Sequence, residues 1–465
     1  MVEKELIGLA GIIVFFLLLI LKARVAFAMV FVGIVGTYAL SLSVSYIRFE
    51  PYIMQYKSLL WENLASYELS VIPLFILMGA LASHTKLAQD LFIGMSAILG
   101  RFRGGLCITA IGSCAGFGAV SGSSLATAST MGKIAYPELK KLGYSPKLST
   151  GTLAAGGTLG ILIPPSVALI LYAIVVEASI IEMFQAAVLP GIIAVLFFML
   201  VIVIQVRLNP EIAPASKPMS KKDRNRALMR LIPVVLTFGS IILGLGLGLF
   251  TPTPAAAAGV FIISMYGIYL RIRHGKGEGL TFTRLRDSLV ETATTSAMLY
   301  FILFGAEVLK GFFTRSGLPQ GIAEWAITVE VSPWIVLIGI LIIFIILGFF
   351  MDSLAMILVV IPFIWPVLIN INGGEYVTAS SAAFGMNLDE LKIWFGILSL
   401  IVIELGLITP PVGLNVFIIS KIATDVPMIE TFKGVFPFFS VEIIRIALLL
   451  LLPGIVLILP RLLAG

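Results

Sequence analysis

Residues 157–172 read GTLGILIPPSVALILY, and they sit inside a run of 29 residues, Leu148 to Val176, that carries no charge. A helix needs ~20 apolar residues to cross a bilayer, so the run is long enough to span. Its centre, Pro164-Pro165, is built to stop a helix, because proline removes a backbone donor and its ring clashes with the preceding turn. The carbonyls this frees cannot be left facing lipid. Such a break therefore belongs inside protein or against a watery cavity. There the carbonyls can coordinate a hard cation, and the N-terminus of the second half-helix offers N–H groups to an anion. The absence of neighbouring carboxylates favours a monovalent cation over a divalent one.

The same device recurs 246 residues later. Gly160-Ile-Leu-Ile-Pro164-Pro165 returns without a gap as Gly406-Leu-Ile-Thr-Pro410-Pro411. Pro164 is the 17th residue after Lys147 and Pro410 the 18th after Lys392, so both breaks fall near the middle of their apolar runs. The surrounding chain suits a membrane. Apolar residues make up 59% of the 465, charged residues 12%, and the mean hydropathy is +1.09, where soluble domains carry about 25% charge. The apolar stretches are continuous rather than alternating, which points to helices and not to a strand barrel.

Basic loops mark the cytoplasmic side. Lys22 and Arg24 follow the first apolar run, Leu6 to Leu21. Arg101 and Arg103 precede the run 104–132, and Lys133, Lys140, Lys141 and Lys147 follow it. Lys217, Lys221, Lys222, Arg224 and Arg226 lie within Arg207 to Arg230, and Arg271, Arg273, Lys276, Arg284 and Arg286 form a later cluster. This pattern places the N-terminus outside. Run 104–132 is bounded by bases at both ends, yet its 29 residues fall short of the ~40 that two crossings require. It reads as a re-entrant helical hairpin with its tip at Gly116 to Ser124, rich in Gly and Ser. Residues 331–374 hold one charge, Asp352, at their midpoint, and the loop after them begins with Glu375, Asp389 and Glu390. This second hairpin opens outward. Charge alone also allows two full crossings there; correspondence with the first hairpin favours the re-entrant form. Ser124-Leu125-Ala126 resembles Ser353-Leu354-Ala355, and Gly116-Phe117 resembles Gly348-Phe349.

The expected fold is thus an all-α polytopic membrane protein with inverted-topology repeats, two re-entrant hairpins and two Pro-Pro-broken helices. Residues 1–69 form N-terminal scaffold helices and an interfacial arm, the arm being Ile47 to Ser70 with Tyr52, Tyr56, Lys57 and Trp61. Residues 70–208 form the first repeat, with hairpin 104–132 and broken helix 148–176. Residues 209–288 hold basic cytoplasmic loops and a connecting helical pair. Residues 289–465 form the second repeat, with hairpin 331–374 and broken helix 393–419.

Several function classes are excluded. The nearest fragment to a Walker A loop, Met131-Gly132-Lys133-Ile134, lacks the Ser or Thr after Lys, so no nucleotide is expected. His84 and His274 lie beside loop residues, and no His, Cys or carboxylate group has the spacing of a transition-metal site. Cys107 and Cys114 lie in one apolar run as packing residues. The net charge of +6 reports orientation and not nucleic-acid binding. The first run lacks a basic start and a small-residue cleavage site, so it is read as a retained helix. An intramembrane hydrolase using a tip serine would need a base, and neither histidine falls in a membrane run; the chain is not expected to be an enzyme.

Three stretches carry a resemblance: GFGAVSGSSLATASTMGK (116–133), GYSPKLSTGTLAAGGTLGILIPPS (143–166) and ELGLITPPVGLNVF (404–417). They resemble the large membrane (M) subunit of the tripartite ATP-independent periplasmic (TRAP) transporters, along essentially the whole chain. The resemblance implies import of an organic acid, of the C4-dicarboxylate or sialic acid class, driven by a sodium gradient across a bacterial inner membrane. It implies a soluble periplasmic substrate-binding protein, a small four-helix membrane subunit (Q) as a separate chain, and an elevator motion of hairpins and broken helices against a scaffold. A stand-alone sodium-coupled dicarboxylate symporter is the alternative.

On this reading one sodium site lies between the first tip and the first break, at Ser121, Ser123, Ser124, Gly157, Gly160 and Pro164. Its twin involves Gly348, Asp352, Ser353, Gly406, Thr409 and Pro410. The organic anion is expected between the tips, near Thr158, Ser166 and Asn415. Asp352, an ionisable group at membrane depth, is assigned to the cation site or to hairpin folding. Glu404 supports the second break or pairs across the domain boundary. Glu307 with Lys310 and Glu442 with Arg445 are i,i+3 pairs with a structural role. Arg315, Glu324 and Glu330 lie on the outer side, where a docking protein would meet them.

Overall fold

A computed structural model describes residues 3–214, 219–246, 248–275 and 279–463. Lys217 and Lys276, counted above among the cytoplasmic bases, lie outside the described residues. All regular structure among the described residues is helical. The chain opens with α1 (Glu3–Ile20), α2 (Val25–Ser43) and the arm α3 (Phe49–Ala65). Helix α4 (Val71–His84) follows and turns by 71° into α5 (Leu87–Leu99). Next come the hairpin helices α6 (Gly105–Ser121) and α7 (Ser124–Lys141), then the broken helix α8 (Pro146–Leu162) and α9 (Val167–Val176), bent by 45°. Helices α10 (Ile180–Leu208), α11 (Lys221–Met229), α12 (Ile232–Gly246), α13 (Pro252–His274) and α14 (Phe282–Ser316) lead to the second half. That half holds α15 (Leu318–Thr328), the second hairpin α16 (Pro333–Gly348) and α17 (Ser353–Asn372), the second broken helix α18 (Leu388–Gly406) and α19 (Leu414–Ile422), and finally α20 (Met428–Leu451) and α21 (Gly454–Leu463).

The sequence signals place these ends. Ser123, Ser179, Ser220, Thr281, Asp352 and Asn387 each cap a helix by accepting the N–H three residues on, which satisfies an otherwise orphan donor. Gly122 and Gly317, both left-handed, close α6 and α14.

Hydrogen bonds between distant residues fix which ends share a face. Leu106 N–H, at the start of α6, donates to Tyr144 Oη just after α7, at 3.3 Å. The first hairpin therefore enters and leaves on one side. Ser145 N–H donates to Ile212 O at 2.9 Å, and Lys140 pairs with Asp425 at 3.0 Å, so α10 ends and α20 begins there too. On the opposite face Asn372 Nδ2, at the end of α17, donates to Met386 O at 3.1 Å. Trp334, at the start of α16, packs on Trp394 with ring centroids 6.1 Å apart, and Lys392 Nζ donates to Glu177 O at 3.1 Å. The second hairpin opens on this face, and its tip stops at the break of the second broken helix, where Gly348 lies against Gly406. It is therefore re-entrant, and the two hairpins are inverted relative to each other.

The start of α1 packs on the end of α14, where Gly8 meets Ser316 and Gly317 meets Lys4. The two broken helices are wrapped by protein: every residue of α8 from Leu148 and of α18 from Ile393 is buried. Large apolar side chains point outward instead on the surrounding helices, among them Phe27, Phe31, Leu196, Leu200, Phe261 and Ile342. That continuous apolar exterior suits lipid rather than water.

Some boundaries differ from expectation. The first hairpin runs past 132 to Lys141, and α5, which hides Asp90 beneath Arg230 and Tyr266, was not foreseen as an element. The final apolar stretch breaks at Pro453 into α20 and α21.

Candidate functional site

The glycine four residues before each Pro-Pro is where hairpin and broken helix meet. A methyl group at Gly118 would lie 2.5 Å from Gly160 Cα, and one at Gly160 would lie 2.7 Å from both Ser123 O and Thr127 Oγ1. In the second half a methyl group at Gly348 would lie 3.0 Å from Gly406 Cα, and one at Gly406 would lie 2.7 Å from Gly348 Cα and 3.0 Å from Ile345 O. Only hydrogen fits there, because backbone is pressed on backbone. Both halves thus build the same junction from the same sequence element.

At the first junction Ser121 Oγ bonds Thr127 Oγ1 at 2.9 Å and approaches Ser123 O at 3.5 Å. Ser123 Oγ accepts Ala126 N–H at 3.3 Å. Gly157 faces Ser124 O, Ala128 and Asn415 Nδ2. Ser121, Ser123, Ser124, Gly157 and Gly160 are therefore brought together. Pro164 is buried, but the tip reaches the break one step later, where Gly122 packs on Ser166 and Val167. Thr127 was missed by sequence reasoning; its place on the face of α7 that also carries Ser124, three residues earlier, was the available signal.

At the second junction Gly348, Ser353 and Gly406 come together with Glu404, which is buried and accepts Ser353 Oγ at 2.6 Å. Asp352 caps α17 through Ala355 N–H at 3.4 Å, so its carboxylate holds the tip as Ser123 does in the first. Thr409 Oγ1 donates to its own helix at Leu405 O, 2.6 Å away, and Pro410 is exposed. The tips align at Ser123-Ser124 and Asp352-Ser353, and the glycine facing Gly160 is Gly118 rather than Gly116. Both Pro-Pro peptide bonds are cis.

The residues singled out for the organic anion are buried at the centre. Among the described residues Ser166 Oγ and Asn415 Oδ1 have no hydrogen-bond partner, while Thr158 Oγ1 donates to Ala155 O at 2.7 Å. Asn415 links the two broken helices: its N–H donates to Leu407 O at 3.1 Å and its Nδ2 to Ala154 O at 3.5 Å. Among the described residues these three side chains make no hydrogen bond to one another.

Other charged residues fall outside the junctions. Arg445 is fully buried, with Nε on Glu442 Oε2 at 3.0 Å, Nη2 on the same oxygen, and Nη1 on Pro190 O at 3.0 Å. It ties α20 to α10 and is structural. Glu307 and Lys310 stand 3.9 Å apart and are partly exposed. Arg315 lies over the Tyr52 ring at 3.6 Å and donates to Gln55 Oε1 at 3.2 Å, clamping the arm α3 to α14. On the first hairpin's face, hydrogen bonds from Lys140 and then Tyr136 hold the Asp425 carboxyl below the usual carboxylate range.

Known proteins share this architecture. Residues 12–455 match the profile of the "Tripartite ATP-independent periplasmic transporter, DctM component" family. The chain belongs to the DctM family. Among its relatives, the C4-dicarboxylate TRAP transporter large permease protein DctM of Pseudomonas aeruginosa is 31% identical over 406 residues, covering 86% of this chain and 88% of that protein. The sialic acid TRAP transporter large permease protein SiaM of Vibrio cholerae is 27% identical over 403 residues, covering 86% and 88%. The crystal structure of the Alcanivorax borkumensis YdaH transporter aligns with a TM-score of 0.59 at 14% identity, over 87% of this chain and 89% of that one. At that identity the likeness concerns the fold alone. This DctM-family chain is a multi-pass membrane component of a TRAP transporter.

Proposed function

We propose that this DctM-family chain carries an organic acid, of the C4-dicarboxylate or sialic acid class, inward across a bacterial inner membrane by coupling it to sodium. Its relatives' names supply the substrate classes. The observation that carries the coupling is the repeated junction of hairpin and broken helix, where oxygens and no cationic side chain converge. Ser123 O and Thr127 Oγ1 lie at Gly160 with Ser121 Oγ on Thr127, and Ile403 O and Ile345 O lie at Gly348 and Gly406, with Ser353 Oγ on the nearby Glu404 carboxyl. Oxygens of this kind suit a monovalent hard cation. Ser166, whose hydroxyl is unsatisfied in the core, and Asn415, through its Nδ2 donor held only loosely on Ala154 O at 3.5 Å, are the candidates for the anion, held by hydroxyl, amide N–H and helix end rather than by an arginine fork. Their binding is then weak enough to release cargo.

The inverted hairpins support alternating access by an elevator motion, with α1, α2, α12, α13 and α14 as scaffold. The basic face is cytoplasmic by the positive-inside rule, which puts the N-terminus in the periplasm. Family membership supports a small four-helix membrane subunit and a periplasmic binding protein as partners, with surrounding lipid as the solvent of the outer helices. The test is uptake in proteoliposomes holding this chain and its small subunit, with an imposed inward sodium gradient. Uptake of a labelled C4-dicarboxylate or sialic acid is expected only with sodium and the binding protein present. Equal uptake in potassium would overturn sodium coupling, and full-rate uptake of free substrate by this chain alone would make it a stand-alone symporter.

A further inference from the structure

Helices α4 and α5 stand between the first hairpin and the helices read above as scaffold. Met78 of α4 lies against Gly259, and Thr85 at its end lies against Gly267, both glycines on α13. Tyr300 Oη of α14 donates to Leu69 O just before α4 at 3.0 Å, and His84 meets Glu291 of α14 at 3.2 Å. Helix α5 then presents two faces. Asp90 and Gly94, four residues apart, share one; Leu91, Met95 and Leu99 share the other. On the first face Asp90, buried, accepts Arg230 Nη1 at 2.9 Å from the turn into α12, and Tyr266 Oη from α13. Gly94 presses there on Leu231 and on Ala227 O. On the second face Leu91 lies at Gly116, and the ends of Met95 and Leu99 lie at Gly112, both glycines in α6 of the first hairpin.

The two faces differ in kind. Among the described residues the polar side-chain contacts of α5 are those of Asp90, and none joins α5 to α6 or α7. The hairpin touches α5 through the ends of flexible apolar side chains set against glycine. Drawing Asp90 away from Arg230 and Tyr266 would strand a buried carboxylate, which is among the costliest contacts to lose. Passing Leu91 and Met95 along a glycine-notched helix needs only changes of rotamer and reburies similar apolar area. When hairpin and scaffold move against each other, the apolar face is the one that gives.

We infer that Asp90 is a positioning residue that makes α5 a fixed part of the scaffold, so that the first hairpin travels over the Leu91 and Met95 face while the Asp90 face stays shut. This rests on the elevator reading above. The line between moving and fixed parts then falls between α5 and α6, within residues 100–104, where Gly104 is left-handed at φ +72°. Helices α4 and α5 precede the first hairpin in the chain but belong with α12, α13 and α14.

The experiment uses the full chain with its small subunit and binding protein in proteoliposomes, carrying Cys107→Ala, Cys114→Ala and one added pair of cysteines. Gly94→Cys with Leu231→Cys bridges α5 to the turn before α12, and Leu91→Cys with Gly116→Cys bridges α5 to the hairpin. Mercuric ion closes each bridge and a dithiol reductant reopens it. Sodium-driven uptake should survive the first bridge and fall about tenfold or more with the second, returning on reopening. Asp90→Ala should slow closure of the first bridge and lower the maximal uptake rate per folded transporter about fivefold or more, with the half-saturating sodium concentration unchanged. Loss of uptake with the first bridge, whether or not the second also blocks, would overturn the fixed α5 and leave the elevator standing. Uptake untouched by either bridge would overturn both, and no sodium-driven uptake by the cysteine-free chain would overturn the transport reading and the inference with it. An Asp90→Ala chain with unchanged rate and bridge closure would remove Asp90 from the role. The bridged chains keep Asp90, so they decide the question even if Asp90→Ala fails to fold.

Discussion

Gly160→Ala gives the sharpest test of the junction. The added methyl would stand 2.7 Å from Ser123 O and Thr127 Oγ1 and 2.9 Å from Ser123 C, roughly 0.7 Å inside ordinary van der Waals contact. Two of the three neighbours are tip backbone, which cannot turn aside as a side chain would. Overpacking of this kind costs about 1–3 kcal/mol, and the gain from replacing a mid-helix glycine offsets about 1 kcal/mol of it. Global stability should therefore fall only modestly. The strain concentrates where tip and broken helix close around the proposed cation: about 1.4 kcal/mol borne by the closed site alone is a tenfold loss of sodium affinity. Gly406→Ala, meeting Gly348 Cα at 2.7 Å, should behave alike in the second half. Gly339→Ala in α16 has nothing within 4 Å and serves as the control. Sodium dependence of uptake in proteoliposomes, with unfolding temperature measured alongside, reads both quantities. If folded Gly160→Ala keeps wild-type sodium affinity, or Gly339→Ala loses as much, the junction is not the cation site.

Other expectations follow from the ion pairs. Arg445→Met strands Glu442 in the core and should lower stability by about 3–5 kcal/mol, most of it recovered by adding Glu442→Gln; thermal unfolding of the single and double variants checks this. Arg315→Ala removes the stacking on Tyr52 and should cost about 0.5–1 kcal/mol, seen as faster hydrogen exchange confined to α3. Asp425 is held below its ordinary value in the folded state, so its contribution is present above the unfolded carboxylate's range and is lost as pH falls through the folded value. As pH falls below about 4, the wild type should therefore lose unfolding temperature more steeply than Asp425→Asn, and equal slopes would contradict the assignment.

The chain's own order of residues was enough for a surprising share of the architecture. Pro-Pro inside an uncharged run has few physical outcomes in a membrane, so both broken helices were readable at once. The lysines and arginines around run 104–132 forced its two ends onto one face, since too few residues lay between them for two crossings. For 331–374 the same arithmetic failed: the run was long enough either way, and only the stop of its tip against the second break, Gly348 on Gly406, made it a re-entrant hairpin.

The site's membership divides along the same line. Serines at a glycine-rich tip and glycines before Pro-Pro announce themselves locally, because backbone freedom and close approach are written in residue type. Which glycine faces which, Gly118 and not Gly116, depends on how two helices slide against each other. Where Thr409 places its hydroxyl proton, on Leu405 O of its own helix, is not written in the spacing either, because every threonine in a helix has that option. Glu404 could be seen as a buried charge but not as the partner of the second tip, because Ser353 lies 51 residues away in the chain. Local chemistry decided the breaks and the topology; the packing of inverted halves decided which oxygens converge.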